Sequence, residues 1–280
     1  MAPRTRQSER RRQVLTRERI IETAVELLDA QGEDALTVRA LTSRLATGSG
    51  AIYWHIGNMS ELLEAATDAV VATALDPHPA ETAQDAHPAE TTLDARPAET
   101  SRAGGPAGSV RVRETAGTPQ DDIRAVALGL FDAVTAHSWL AAQLATQFTR
   151  NPWGPVTLRI FERIGRPVRA LGVPRADWFT TASTLVHYLL GATTQTRQSA
   201  GDDTAPASEA DRAAFLDTAS SAWQELDPDD YPFIRAIAEQ MRDHDDREQF
   251  LTGIDLVLTG ITTLHPAPAA KPGERLPSPG

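Results

Sequence analysis

The sequence predicts an all-α protein, a small N-terminal head of short helices followed by a larger helical half. Apolar residues recur at i, i+4 and i+7 through most of the chain, and no segment sustains the alternation of a strand. Cap-forming residues also stand where the apolar periods begin. Thr16 can cap a first helix carrying Ile20, Ile21, Ala24, Leu27 and Leu28, which Gly32 can stop. Thr37 can cap a short second helix with Val38, Leu41 and Leu45 on one face. A break at Ala46-Thr47-Gly48 precedes a third helix over about 49–55. Asn58 starts a fourth, with Glu61 placed to reach back to the cap. Further helical periods fall near 119–137, 139–150, 154–171, 175–198, 209–226, 231–243 and 246–264.

Three polar stretches interrupt this pattern. Residues 76–118 contain three nine-residue units sharing Pro-Ala-Glu-Thr, the first beginning at His78. Without apolar positions to line a solenoid, such units cannot offset their ordering entropy, so the segment reads as a disordered linker or, alternatively, a protein-docking segment. Residues 199–209 read as an acidic loop and 266–280 as a disordered, Pro-rich tail. The expected organisation is a basic arm over 1–15, a head over 16–75, the linker over 76–118, a helical domain over 119–265 and the tail.

The chain has 280 residues and no cysteine, which excludes disulfides, thiolate metal sites and cysteine nucleophiles. No apolar run reaches the ~18 residues of a membrane span, and the default address is the cytoplasm. The net charge of −11 argues against a nucleic-acid partner when taken whole. Its distribution argues otherwise. Residues 1–19 carry seven arginines against two glutamates, whereas 76–280 carry 18 basic and 28 acidic residues. From Ala35 through Ser60 there is no Asp or Glu, while Arg39, Arg44 and His55 are present.

The two short helices around Ala46 have helix-turn-helix spacing, which places the second in a major groove. The run Thr37-Val38-Arg39-Ala40-Leu41, then Ala51-Ile52-Tyr53-Trp54-His55-Ile56-Gly57-Asn58 and Leu62-Leu63, resembles the DNA-binding domain of the TetR family of transcriptional regulators over residues 16–72. Residues 250–261 are similar to the final helix of that family's regulatory domains.

The resemblance implies a helix-turn-helix head joined to a ligand-binding and dimerisation domain. It implies that Arg39 reaches a guanine, that Thr37, Tyr53 and His55 contact phosphates, and that residues 48–55 form the recognition helix. Thr47, Gly48, Ser49, Gly50, Ala51 and Trp54 complete the candidate DNA-binding set. Tyr53 and Trp54 could instead pack in the head's core, Trp54 more readily than Tyr53, and His55 could simply end a helix. Three positions depart from the family: Ala46 replaces a common Gly, Thr47 a Val, and Met59 a Lys that meets a phosphate. The reading end is built of small residues, so Arg10, Arg11 and Arg12 are expected to track phosphates or enter the minor groove, unless the arm is only a solubility tail.

For the larger half the resemblance implies a cavity and a four-helix dimer interface. Trp139, Gln143, Phe148, Trp153, Phe161, Trp178, His187 and Tyr188 are the candidate ligand residues, aromatic walls with a few polar tips, though such residues are more often core than contact. His137 and His187 lack the carboxylate pattern of a metal site. Gly191, Gly253, Val257, Gly260 and Ile261 are candidates for the dimer interface, with intramolecular packing as the alternative reading of the glycines. The expected partners are a palindromic operator DNA, a small hydrophobic or aromatic effector and a second copy of the chain, with no membrane and no cofactor. An effector-independent regulator controlled by abundance or a protein partner is the alternative. Enzyme motifs such as phosphate-cradling glycine loops, H-E-x-x-H and G-x-S-x-G are missing.

Overall fold

The computed structural model describes residues 15–76, 117–201 and 208–266. The expected arm, with Arg10, Arg11 and Arg12, and nearly all of the expected linker and tail lie outside the described residues. The head comprises α1 (Arg17–Gln31), a 3-10 turn (Glu33–Ala35), α2 (Val38–Leu45), α3 (Ser49–His55) and α4 (Met59–Leu75). The body comprises α5 (Pro119–Ala136), α6 (Leu140–Arg150), α7 (Pro155–Ala170), α8 (Trp178–Gly201), α9 (Glu209–Gln224), α10 (Pro232–Ile237) and α11 (Asp246–Leu264). Among the described residues there is no strand, and no helix is long and apolar enough to cross a membrane.

The head's helices start where their caps dictate. Thr16 Oγ1 accepts from the Arg19 amide at 3.2 Å and Thr37 Oγ1 from that of Ala40 at 3.2 Å. Asn58 Oδ1 accepts from the Glu61 amide at 2.9 Å. Glu61 does not return to the cap residue, as the capping-box spacing suggests, but accepts from the Gly57 amide at 3.0 Å, one residue earlier. Ile20, Ala24 and Leu28 of α1, Leu41 of α2, Ile52 of α3, and Leu62 and Ala66 of α4 are fully buried, and they make the head's core. This cluster continues into the body through Val70, Val71 and Leu75 of α4.

α5 is the body's central helix, packed against α4, α7, α8 and α11. Its start is a capping box between Thr118 and Asp121, and the Thr118 hydroxyl and amide hold the Asp121 carboxyl below its ordinary pKa. Where α5 crosses α4 the backbones nearly touch, since a Cβ on Gly129 would run into the Ala74 carbonyl oxygen. Only glycine permits that crossing. α11 buries Phe250, Ile254, Leu258 and Ile261 in the common core.

The expected helix over 231–243 is divided into α10 and a 3-10 turn, Ala238–Met241. Arg235 donates to the carbonyls of Gln224 and Leu226, which ties α10 across the end of α9. The buried apolar residues described in this α9–α10 lobe, Leu216 and Ala238, stand outside the core shared by head and body.

Candidate nucleic-acid interface and its coupling to the body

The helix-turn-helix geometry rests on Ala46, which ends α2 in the left-handed region with φ 49° and ψ 45°. A β-carbon is disfavoured there by about 1–2 kcal/mol, which is why glycine is the commoner residue in such turns. The turn aims α3 outward. Ser49, Gly50, Ala51, Tyr53 and Trp54 are exposed, while Ile52 and Ile56 anchor the helix in the core. Gly48 caps α3 with backbone alone, and a Cβ at Gly48 or Gly50 would meet nothing within 4 Å. Internal packing therefore requires neither glycine, and both leave room for a close external partner.

The reading of Trp54 as core is corrected. It is 86% exposed because it stands two residues, about 200° of helical rotation, past the buried Ile52 and so points away from the core that Ile52 enters. Tyr53 is half exposed, Thr37 and Arg39 are exposed, and Thr47 and His55 are partly covered. Arg39 meets no carboxylate among the described residues, whereas Arg44 lies 3.8 Å from Glu26 and Arg17 lies 3.5 Å from Glu61. Met59, at the position where the resemblance implies a Lys, packs its side chain against the head's core.

The opposite side of the head meets the body through polar contacts. Asp29 Oδ1 accepts from Trp139 Nε1 at 2.7 Å and lies 2.7 Å from His137 Nδ1. Gln143 Nε2 donates to Glu33 at 2.6 Å, and Asn151 Nδ2 donates to Glu64 at 2.6 Å. Arg159 grips Asp68 with three contacts of 3.1–3.3 Å. The head supplies the acceptors and the body supplies the donors. Trp139 and Gln143, expected to face a ligand, are thus buried in this seam with their polar ends occupied by the head. The sequence did carry a signal for the acceptors: eight acids crowd residues 20–75, all outside the acid-free window.

A groove of about 1030 Å³ lies along the same seam, between α1, α4, α5 and α7. Its floor includes Ile21, Val25, Val70, Val126 and Ala133, and its polar groups include Glu22, Glu26, Asp122, Asp132, His137 and Arg163. Pro167 of α7 borders it and, lacking an N–H, removes one rung of that helix's ladder.

None of the eight candidate ligand residues lines this groove. Phe148, Phe161 and Phe179 instead form an aromatic ladder across α6, α7 and α8, with ring centroids 5.8 and 6.2 Å apart. Trp178 donates to the Val173 carbonyl at 2.7 Å, Trp153 is exposed, and His187 faces outward from α8. Tyr188 donates to the Phe250 carbonyl at 3.0 Å, and burial pushes its phenol pKa up. Helical period alone does not distinguish a residue facing a cavity from one facing a neighbouring helix.

The interface candidates divide in the same way. A Cβ on Gly253 would run into the Tyr188 hydroxyl, and Ile261 is buried in the chain's own core, so both are committed internally. Val257 is half-buried against that core. Gly191 and Gly260 are exposed with open space above them, and Leu256 and Leu264 are 71% and 77% exposed on the outer side of α11.

Comparison with known proteins agrees with this architecture. Residues 20–66 match the family model "Bacterial regulatory proteins, tetR family", and residues 113–265 match "Tetracyclin repressor-like, C-terminal domain". The chain is similar to the transcriptional regulator SCO7222, a TetR from Streptomyces coelicolor, with 52% identity and a TM-score of 0.71 over 90% of this chain and 99% of that one. It shares the fold of Streptomyces coelicolor ActR in complex with actinorhodin, at 22% identity and a TM-score of 0.64 over 91% of this chain and 98% of that one. An HTH-type transcriptional regulator of Saccharopolyspora erythraea is 27% identical over 65% of this chain, which spans 61% of that relative's length. The Escherichia coli tetracycline repressor class C is 44% identical over 20% of this chain and 26% of its own length.

Proposed function

The chain belongs to the TetR family of transcriptional regulators, with a DNA-binding and a ligand-binding domain, and from that premise we propose that it acts as a homodimeric repressor released from a palindromic operator by a small effector. The observation that carries this reading is the position of the groove. It is walled by α1 and α4 of the head and by α5 and α7 of the body, beside the hydrogen bonds that join them. An occupant there acts on both parts at once. If it fits one head orientation better than another, it shifts their populations by its differential affinity, and bound operator must weaken it by the same factor.

Arg39, Thr37, Tyr53, Trp54 and His55 supply the DNA contacts in this reading. Arg39 reads a guanine edge, the hydroxyls and imidazole fix the backbone, and Trp54 offers an aromatic surface. Ser49 and Ala51 are the only base-reading side chains at the helix start, and Gly48 and Gly50 let the backbone approach closely. The arm arginines Arg10, Arg11 and Arg12 add sequence-independent attraction to phosphates. The effector is an amphipathic molecule matching the groove's apolar floor and charged rim. Actinorhodin in the ActR complex shows what one protein of this fold is seen with, and the effector here is proposed on the groove alone.

Dimerisation uses the outer faces of α8 and α11, where Gly191 and Gly260 allow close approach and Leu256 and Leu264 offer apolar surface. Selection of bound DNA from a random pool tests the whole reading. The expected product is an inverted repeat with half-sites about 34 Å apart, one turn of the duplex, or a multiple of it. Enrichment of a single unpaired half-site would contradict the dimeric repressor.

A further inference from the structure

Two exposed aromatic surfaces of this chain carry opposite charge. The first is on the body. The Phe148, Phe161 and Phe179 ladder ends at the surface with Phe179, which is 76% exposed. Next to it in sequence, Trp178 has the guanidinium groups of Arg169 and Arg175 against its ring, at 5.7 and 6.0 Å. Both arginines are exposed, and neither meets a carboxylate among the described residues. Residues 150–178 hold six arginines against two acids.

The second surface is the tip of the α9–α10 lobe. Residues 227–233, Asp-Pro-Asp-Asp-Tyr-Pro-Phe, are all exposed, and Phe233 is 70% and Tyr231 48% exposed. No arginine pairs with Asp229 or Asp230 among the described residues, and residues 210–243 hold eight acids against three arginines. The lobe's core is separate from the main core, and Arg212 with Asp246, 3.0 Å apart, is a polar tie between it and α11. Exposed apolar residues that cluster within a polar rim, rather than standing singly, mark surfaces that meet a partner.

We propose that the lobe tip of one protomer, residues 227–233, docks on the Phe179–Trp178 face of a second copy, Asp229 and Asp230 meeting Arg169 and Arg175. The match of acid to arginine and of ring to ring selects the second copy as occupant, because each copy carries both halves. The docking rests on the dimer proposed above. It also gives the dimer two reciprocal contacts besides α8 and α11, so that each body is partly enclosed by its partner's lobe.

The absence of cysteine makes a clean test possible. Two differently tagged full-length chains, one T180C and one Y231C, are coexpressed and treated with a short bis-maleimide. The expected product is a covalent dimer carrying both tags. In that background D229K/D230K should cut the yield roughly tenfold or more, and adding R169E/R175E to the other chain should restore it. Light scattering on the untreated protein separates the two levels of the argument. A dimer that gives no mixed product overturns the docking and leaves the dimer standing, whereas a monomer overturns both. A T180C/Y231C double variant that links only within one chain shows the lobe folded on its own body, and would equally overturn the docking. Survival of full crosslinking in D229K/D230K would show proximity without the proposed charge match.

Discussion

The head presents two unlike sides. From Thr37 to His55 it shows arginine, hydroxyl, imidazole and aromatic groups with no acid among them, Trp54 is exposed, and Arg39 has no carboxylate partner among the described residues. On the side toward the body, Asp29, Glu33, Glu64 and Asp68 all accept from body side chains. The difference teaches that a net charge is uninformative until each charge has a neighbour. These four acids do not oppose DNA binding, since they are engaged by the body, and they double as the head's attachment to it.

This division can be broken by substitution. Arg39→Ala, on the outward side, should weaken operator binding by about 1–3 kcal/mol and relax preference at one base pair, measured by fluorescence anisotropy on selected DNA. Its urea midpoint should stay where it was, because an exposed unpaired arginine contributes little to folding. Asp29→Ala, on the inward side, should reverse the pattern. It strands the buried Trp139 N–H and costs about 1–2 kcal/mol of stability, with a smaller change in DNA affinity. Equal losses of DNA affinity in the two variants would erase the distinction. Ala46→Gly concerns the joint between α2 and α3 and has the smallest expected effect. Relief of the left-handed β-carbon should add about 1 kcal/mol, raising Tm by a few degrees. An unchanged or lower Tm would mean that the turn is not strained.

Much of the local structure was legible. Thr16, Thr37 and Asn58 cap helices where the sequence predicts, and the boundaries of α1 to α9 and α11 follow from caps, apolar period and glycine or proline stops. The acid-free window likewise marked the exposed side of the helix-turn-helix. Pairings across more than a hundred residues were not legible. Asp29 and Trp139 meet because α5, packed on α4, carries the chain back to the end of α1, and periodicity says which side of a helix is apolar without saying what it faces. For the same reason the sequence offers Trp139 and Gln143 to a ligand although their polar ends meet the head, and Gly253 to a partner although Tyr188 packs on it. For Trp54 the alternative of core packing follows from the usual gain in burying a large aromatic, and its exposure removes that alternative.

The close crossing of Gly129 over Ala74 has a mechanical meaning. It pins α4 near its C-terminal end, while the recognition helix hangs from the other end, some sixteen residues away. At 1.5 Å per residue that lever is about 24 Å long, so a tilt of about 5° at the pin swings Asn58 and α3 by about 2 Å. Two heads moving oppositely would change their separation by about 4 Å against a groove spacing of about 34 Å. In the proposed reading, a short arm at the groove and a long arm at the DNA would turn a small displacement into a misfit, with Gly129 bringing α5 close enough to α4 to serve as the fulcrum.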